Sequence, residues 1–192
     1  MRRRARWSAV LPAIGLAFGA ALSVAPAAAD LPDFDATPFE CAGHEVLTNA
    51  CARISETRLG ADGTGMRRTV LYADIDIAPL DDLASGATRL SAFFVTITTP
   101  VALREGDLLC ADFTRAEVTI RPDDRRLAAG VVERARIALA ARFAARGEIC
   151  GSYVDAGLNW FWQPADGAGE EETLDLLPAD VGAALTLRKT AL

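Results

Sequence analysis

The sequence predicts an α+β domain: a mostly antiparallel sheet with one long helix, over about residues 123–146, packed on one face, and two disulfides. Three observations carry that expectation. Leu71, Ala73, Ile75 and Ile77 alternate with Tyr72, Asp74 and Asp76, the period-2 pattern of a strand with one buried and one wet face. A helix-competent stretch follows Arg121-Pro122 and runs to Gly147. All four cysteines fall in one part of the chain, after residue 29.

Residues 1–29 come first. They hold Arg2, Arg3, Arg4 and Arg6, an apolar run from Trp7 to Val24, and Ala27-Ala28-Ala29 before Asp30, the layout of a secretory signal peptide. The apolar run is long enough for an uncleaved anchor to be the alternative. Arg4-Ala5-Arg6 stands where a twin-arginine signal wants an apolar patch, which favours the general export route. The mature domain is then 30–192, periplasmic or secreted, with no stable membrane span after cleavage. Abundant Ala, Arg and Asp with little Lys fits a high-GC bacterial source.

Residues 30–40 read as an extended lead-in with two prolines. Next, Ala52–Leu59 and Arg67–Ile77 flank the turn residues Gly60, Gly63 and Gly65, which predicts a hairpin. The run Arg89–Thr99 is apolar on both faces and β-branched, a central strand that Pro100 is expected to close. Leu109, Ala111 and Phe113 share a phase that Val118 and Ile120 do not, so a break is expected near Thr114–Glu117. Asp123 or Asp124 can cap the helix, in which Gly130 is an internal cost that would suit close packing. Strand follows at Tyr153-Val154 and Leu158–Gln163, then an acidic loop over 166–172, and a less regular ending at Leu174–Leu177 and Ala183–Leu187. In outline this is similar to the helix-on-curved-sheet arrangement of cystatin-like folds, a likeness of architecture that implies no function.

Charge and cysteine usage narrow the function classes. The whole chain has 20 Lys+Arg against 26 Asp+Glu; without the four leader arginines the balance is 16 against 26, a net of -10. Nucleic-acid binding needs clustered positive charge, so it is not expected. In an exported chain Cys41, Cys51, Cys110 and Cys150 imply two disulfides. Three pairings are possible, and spacing favours Cys41–Cys51 with Cys110–Cys150, the second tying a strand to the end of the helix. No C-x-x-C pair occurs and His44 is the only histidine, so neither a metal nor a cofactor is expected.

Candidate chemistry is sparse. His44, beside Glu45 in the loop that Cys41–Cys51 would close, could act as a general base, although histidine catalysis needs a convergent constellation. Asp74 and Asp76 share a strand face and could couple as acid and base, or simply form a solvated face. No G-x-S-x-G, H-E-x-x-H or P-loop is present. On a strand, Trp160 and Trp162 would share a face with Leu158, forming a ligand platform if exposed or core beneath the helix if not. The helical stretch carries Arg125, Arg126, Arg134, Arg136, Arg142 and Arg146, a docking surface or a solvated helix face. The expectation is a non-catalytic binding or accessory domain acting on a protein partner or small ligand of the cell envelope through Trp160, Trp162, Arg134 or Arg142. The alternatives are a small hydrolase using His44 or carboxylates, and an envelope-assembly or inhibitor protein.

Overall fold

The computed structural model describes residues 31–80, 89–105, 107–166 and 172–189. The expected signal peptide and the middle of the expected acidic loop, 167–171, lie outside the described residues. Eleven strands follow in order: β1 (Phe39–Ala42), β2 (Ala50–Cys51), β3 (Arg53–Leu59), β4 (Thr64–Asp76), β5 (Leu90–Arg104), β6 (Leu108–Asp112), β7 (Glu117–Pro122), β8 (Glu148–Asp155), β9 (Trp160–Pro164), β10 (Glu172–Leu177) and β11 (Thr186–Leu187). Helix α1 spans Ala129–Ala144 and the one-turn α2 spans Ala179–Gly182.

The sheet is not the open, helix-backed one expected from sequence. It runs β4-β3-β1-β10-β9-β8-β6-β5, and β5 pairs back onto β4, closing an eight-strand antiparallel barrel. Closure rests on β5, a 15-residue strand. One of its edges pairs with β4 from Leu90 to Ala102; the other is divided between β7 at Phe93–Thr98 and β6 at Val101–Arg104. The eight strands of the ring each have two neighbours, while β7 pairs with β5 alone. Pro100 does not stop β5 as expected, and the strand continues through it opposite Met66.

Four other expectations are met locally. The β3–β4 hairpin turns at Gly60–Gly63, where Gly63 has φ +74. The phase change after Phe113 is a 3-10 turn over Phe113–Arg115, capped by Asp112. Gly147 ends the helical stretch with φ +70. The disulfides are Cys41–Cys51 and Cys110–Cys150. The second joins directly opposed residues of β6 and β8 rather than a strand and a helix end. Two disulfides fit a chain folded in an oxidising, non-cytoplasmic compartment. Among the described residues no helix is long and apolar enough to cross a membrane.

Helix α1 is shorter than expected and packs on β5 and β7 of the barrel rather than backing an open sheet. Its cap is Ala128, without a side-chain bond; Asp124 instead accepts from the Arg126 amide, and Asp123 pairs with Lys189 at 2.8 Å. Only Val131 and Ala135 of α1 are buried, one turn apart, against Phe93, Val95, Ile97 and Val118. A Cβ on Gly130 would meet only Arg134 Nη1 at 3.7 Å, so no close packing requires that glycine.

Directly paired residues point to the same side of a sheet, so the register names the barrel lining. Glu40 stands opposite Ser55, Ser55 opposite Thr69, and Thr69 opposite Ile97. Thr57, Arg67 and Thr99 form a second row, and Arg53, Leu71 and Val95 a third. On the far wall Val101, Ala111 and Ile149 align, then Tyr153, Trp162 and Glu172. One apolar cluster, including Leu109, Tyr153 and Leu174, fills part of the interior; the cluster under α1 fills another.

Candidate ligand cavity

A cavity of about 560 Å³ is bordered by residues of both clusters. Its polar wall comes from β3, β4 and β5, with Arg53, Arg67, Thr69 and Thr99. Its apolar lining comes from Leu71 and Ile97 on the same strands and from Ala111, Phe113, Phe143 and Ile149. Trp162 and Glu172 border it from β9 and β10, while Arg146, Glu148 and Asp166 line it beyond α1 and at the start and end of β8 and β9. The volume lies within the range of small-molecule sites, and barrels of eight strands enclose just such a space.

The polar wall is anchored by a buried network. Glu40 is 1% exposed. Its Oε1 accepts from Thr57 Oγ1 at 3.1 Å and from Tyr153 Oη at 2.9 Å, while Oε2 accepts from Arg67 Nη2 at 2.5 Å. Arg67 Nη1 lies 3.4 Å from Tyr153 Oη, and its guanidinium stands 5.9 Å from the Trp162 ring centroid. Burial opposes the Arg67 charge, but Glu40, Tyr153 and Glu172 outweigh it and hold the guanidinium above its ordinary value. Burial pushes the Tyr153 hydroxyl well above its usual value, with the Glu40 carboxylate adding to the rise. Arg53 Nη2 bonds Glu172 Oε2 at 2.5 Å. Ser55 and Thr69 hydroxyls bond each other at 3.0 Å.

The tryptophans lie inside the barrel, neither on an outer platform nor beneath the helix. Trp160 and Trp162 meet Tyr153 edge to face at 6.5 and 5.0 Å. Trp162 lines the cavity. Leu158, expected to share their face, is 96% exposed in the turn before β9. Gly151 leaves room for Trp162: a Cβ there would stand 2.4 Å from Trp162 Cζ2.

The arginines disperse. Arg125 and Arg126 precede α1. Arg134 Nε donates to the Leu80 carbonyl at 2.6 Å, and Arg136 pairs with Glu133. Arg146 lies over Phe113, 5.3 Å from its centroid. Arg142 borders a second hollow of about 340 Å³ together with Asp74 and Asp76. Asp76 is committed there to backbone, accepting from the amides of Ala78 and Arg89.

His44 lines neither hollow. Its Nδ1 stands 2.6 Å from Asp175 Oδ2 and its Nε2 3.3 Å from Asn49 Oδ1, an arrangement that ties the disulfide loop to β10. Cys110, Glu148 and Cys150 also lie together, but both sulfurs are consumed by their disulfide.

Sequence reasoning missed Glu40, Arg53 and Arg67. A signal was present: Arg67 and Thr69 share the phase of Leu71, Ala73 and Ile75 on β4, so a strand with that face buried must also bury an arginine. No protein-family model matches the chain, and no curated protein or solved structure matches it. Function therefore rests on the geometry of the cavity.

Proposed function

We propose that this chain is a non-catalytic binding domain, periplasmic or secreted after signal cleavage, that takes a small ligand into the barrel. The observation that carries this is the cavity of about 560 Å³, lined by both charged or polar and apolar side chains. A half-open hollow of this size, reaching from exposed charged residues to inward-facing side chains of the barrel, has the dimensions of a small-molecule site. In this reading Trp162 would meet the ligand as part of the cavity lining. Methyl-labelled NMR against a small-molecule library tests the reading. Hits should shift the Ile97, Ile149 and Leu71 methyls together; hits confined to the outer helix face, or none, would count against it.

A second reading, a small hydrolase, draws on the hollow shared by Asp74, Asp76 and Arg142. The commitment of Asp76 to two backbone amides weakens it. Turnover of an ester or glycoside substrate that is lost in Asp74→Asn would support this reading.

A further inference from the structure

Two arginines on a cavity wall suggest an anion site, but the charges here are balanced. Arg53, Arg67 and Arg146 line the cavity against Glu148, Asp166 and Glu172. Behind that lining, Glu40 pairs with Arg67 and Arg104 pairs with Glu148. Four cations therefore face four carboxylates. An entering anion would lose its hydration without meeting net positive charge, and an entering cation would meet no net negative charge.

Hydrogen-bond capacity is not balanced in the same way. Glu40 already accepts from Thr57, Tyr153 and Arg67. A guanidinium carries five N–H donors. Arg67 bonds through Nη2 to Glu40 and Nη1 to Tyr153, and Arg53 bonds through Nη2 to Glu172. Both side chains thus keep donors for the cavity they line, and those donors are charge-assisted. The same cavity is also lined by Ile97, Phe113, Phe143 and Ile149.

We infer that the cavity selects an uncharged amphipathic molecule, with a carbonyl-type acceptor oxygen set against Arg67 and Arg53 and an apolar or aromatic body against Trp162 and the apolar lining residues. Glu40 acts as a positioning residue: it holds the Arg67 fork and cancels its charge. The inference rests on the proposed binding role of the cavity and specifies its ligand class.

Calorimetric titration of the disulfide-bonded protein with naphthaleneacetamide, naphthaleneacetate and naphthylmethylamine separates the possibilities. These probes share a ring system and differ in the charge of the head. The amide should bind about tenfold or more tighter than either charged probe. Ala111→Leu, which fills the cavity, should remove that binding while the circular dichroism spectrum stays native; Ala111→Val serves if the larger side chain prevents folding. Acetate binding as tight as the amide, and lost in the Ala111 variant, would overturn the uncharged-head inference while leaving the cavity a ligand site. Failure of all three probes, or amide binding indifferent to Ala111, would overturn both.

Discussion

Glu40 and Arg67 form an ion pair inside the barrel, with the carboxylate 1% exposed and also accepting from Thr57 and Tyr153. Removing one partner of a buried pair leaves an uncompensated charge, which typically costs about 3–5 kcal/mol. Glu40→Ala and Arg67→Met should each destabilise the fold on that scale, and the double variant should lose clearly less than the sum. Urea unfolding of all four chains measures this. Additive losses would show that the two residues do not act as a unit.

Tyr153 gives a pH dependence with a definite sign. Its hydroxyl ionises only well above the usual value in the folded protein, first because of burial. A folded-state pKa raised above the unfolded one means that the folded protein holds the proton more tightly. The contribution is full below about pH 10 and is lost progressively as pH rises above it. Tyr72, the other tyrosine, is also pushed up, by burial first. Phenolate absorbance should therefore appear together with loss of the barrel's circular dichroism. Phenolate forming near pH 10 in a still-folded protein would contradict the buried network.

Gly151 and Gly130 should respond oppositely to alanine. At Gly151 a Cβ would collide with Trp162 Cζ2 and stand 2.6 Å from the Gln163 carbonyl oxygen. Overpacking of this kind costs about 1–3 kcal/mol, so Gly151→Ala should unfold at lower urea. Gly130 is exposed on α1, and a Cβ there would make only an ordinary contact with Arg134 Nη1 at 3.7 Å. Gly130→Ala should be neutral or stabilising by up to about 1 kcal/mol.

Opening Cys110–Cys150 releases a loop of 40 residues, and opening Cys41–Cys51 one of 10. Loop-closure entropy assigns them about 4 and 3 kcal/mol respectively. Replacing each pair by serine should lower the thermal transition, more for the first pair. An unchanged transition in either variant would show that its bridge does not support the fold.

These residues also show what the sequence could and could not reveal. The β3–β4 hairpin, the break after Phe113 and both cysteine pairs were legible because each depends on near neighbours or on counting. Barrel closure was not, since it depends on β4 pairing with β5 while β1 pairs with β10, a contact as distant as Phe39 with Leu177. An alternating strand looks the same in an open sheet and in a closed one. The helix was overextended at its start because Asp123 and Asp124, plausible caps, bond to Lys189 and to the Arg126 amide instead. The cavity was hidden because its arginines occupy inward positions where the pattern leads one to expect apolar residues. Only the register across β1, β3 and β4 shows that Glu40 lies where it can pair with Arg67.

The most direct test of the binding role is native mass spectrometry of the protein purified from its own envelope fraction, alongside Ala111→Leu. The wild-type protein should carry a small-molecule adduct that is released on denaturation, and the variant, with the cavity filled, should not. Identical bare masses for the two, or an adduct that survives in the variant, would contradict a ligand site inside the barrel.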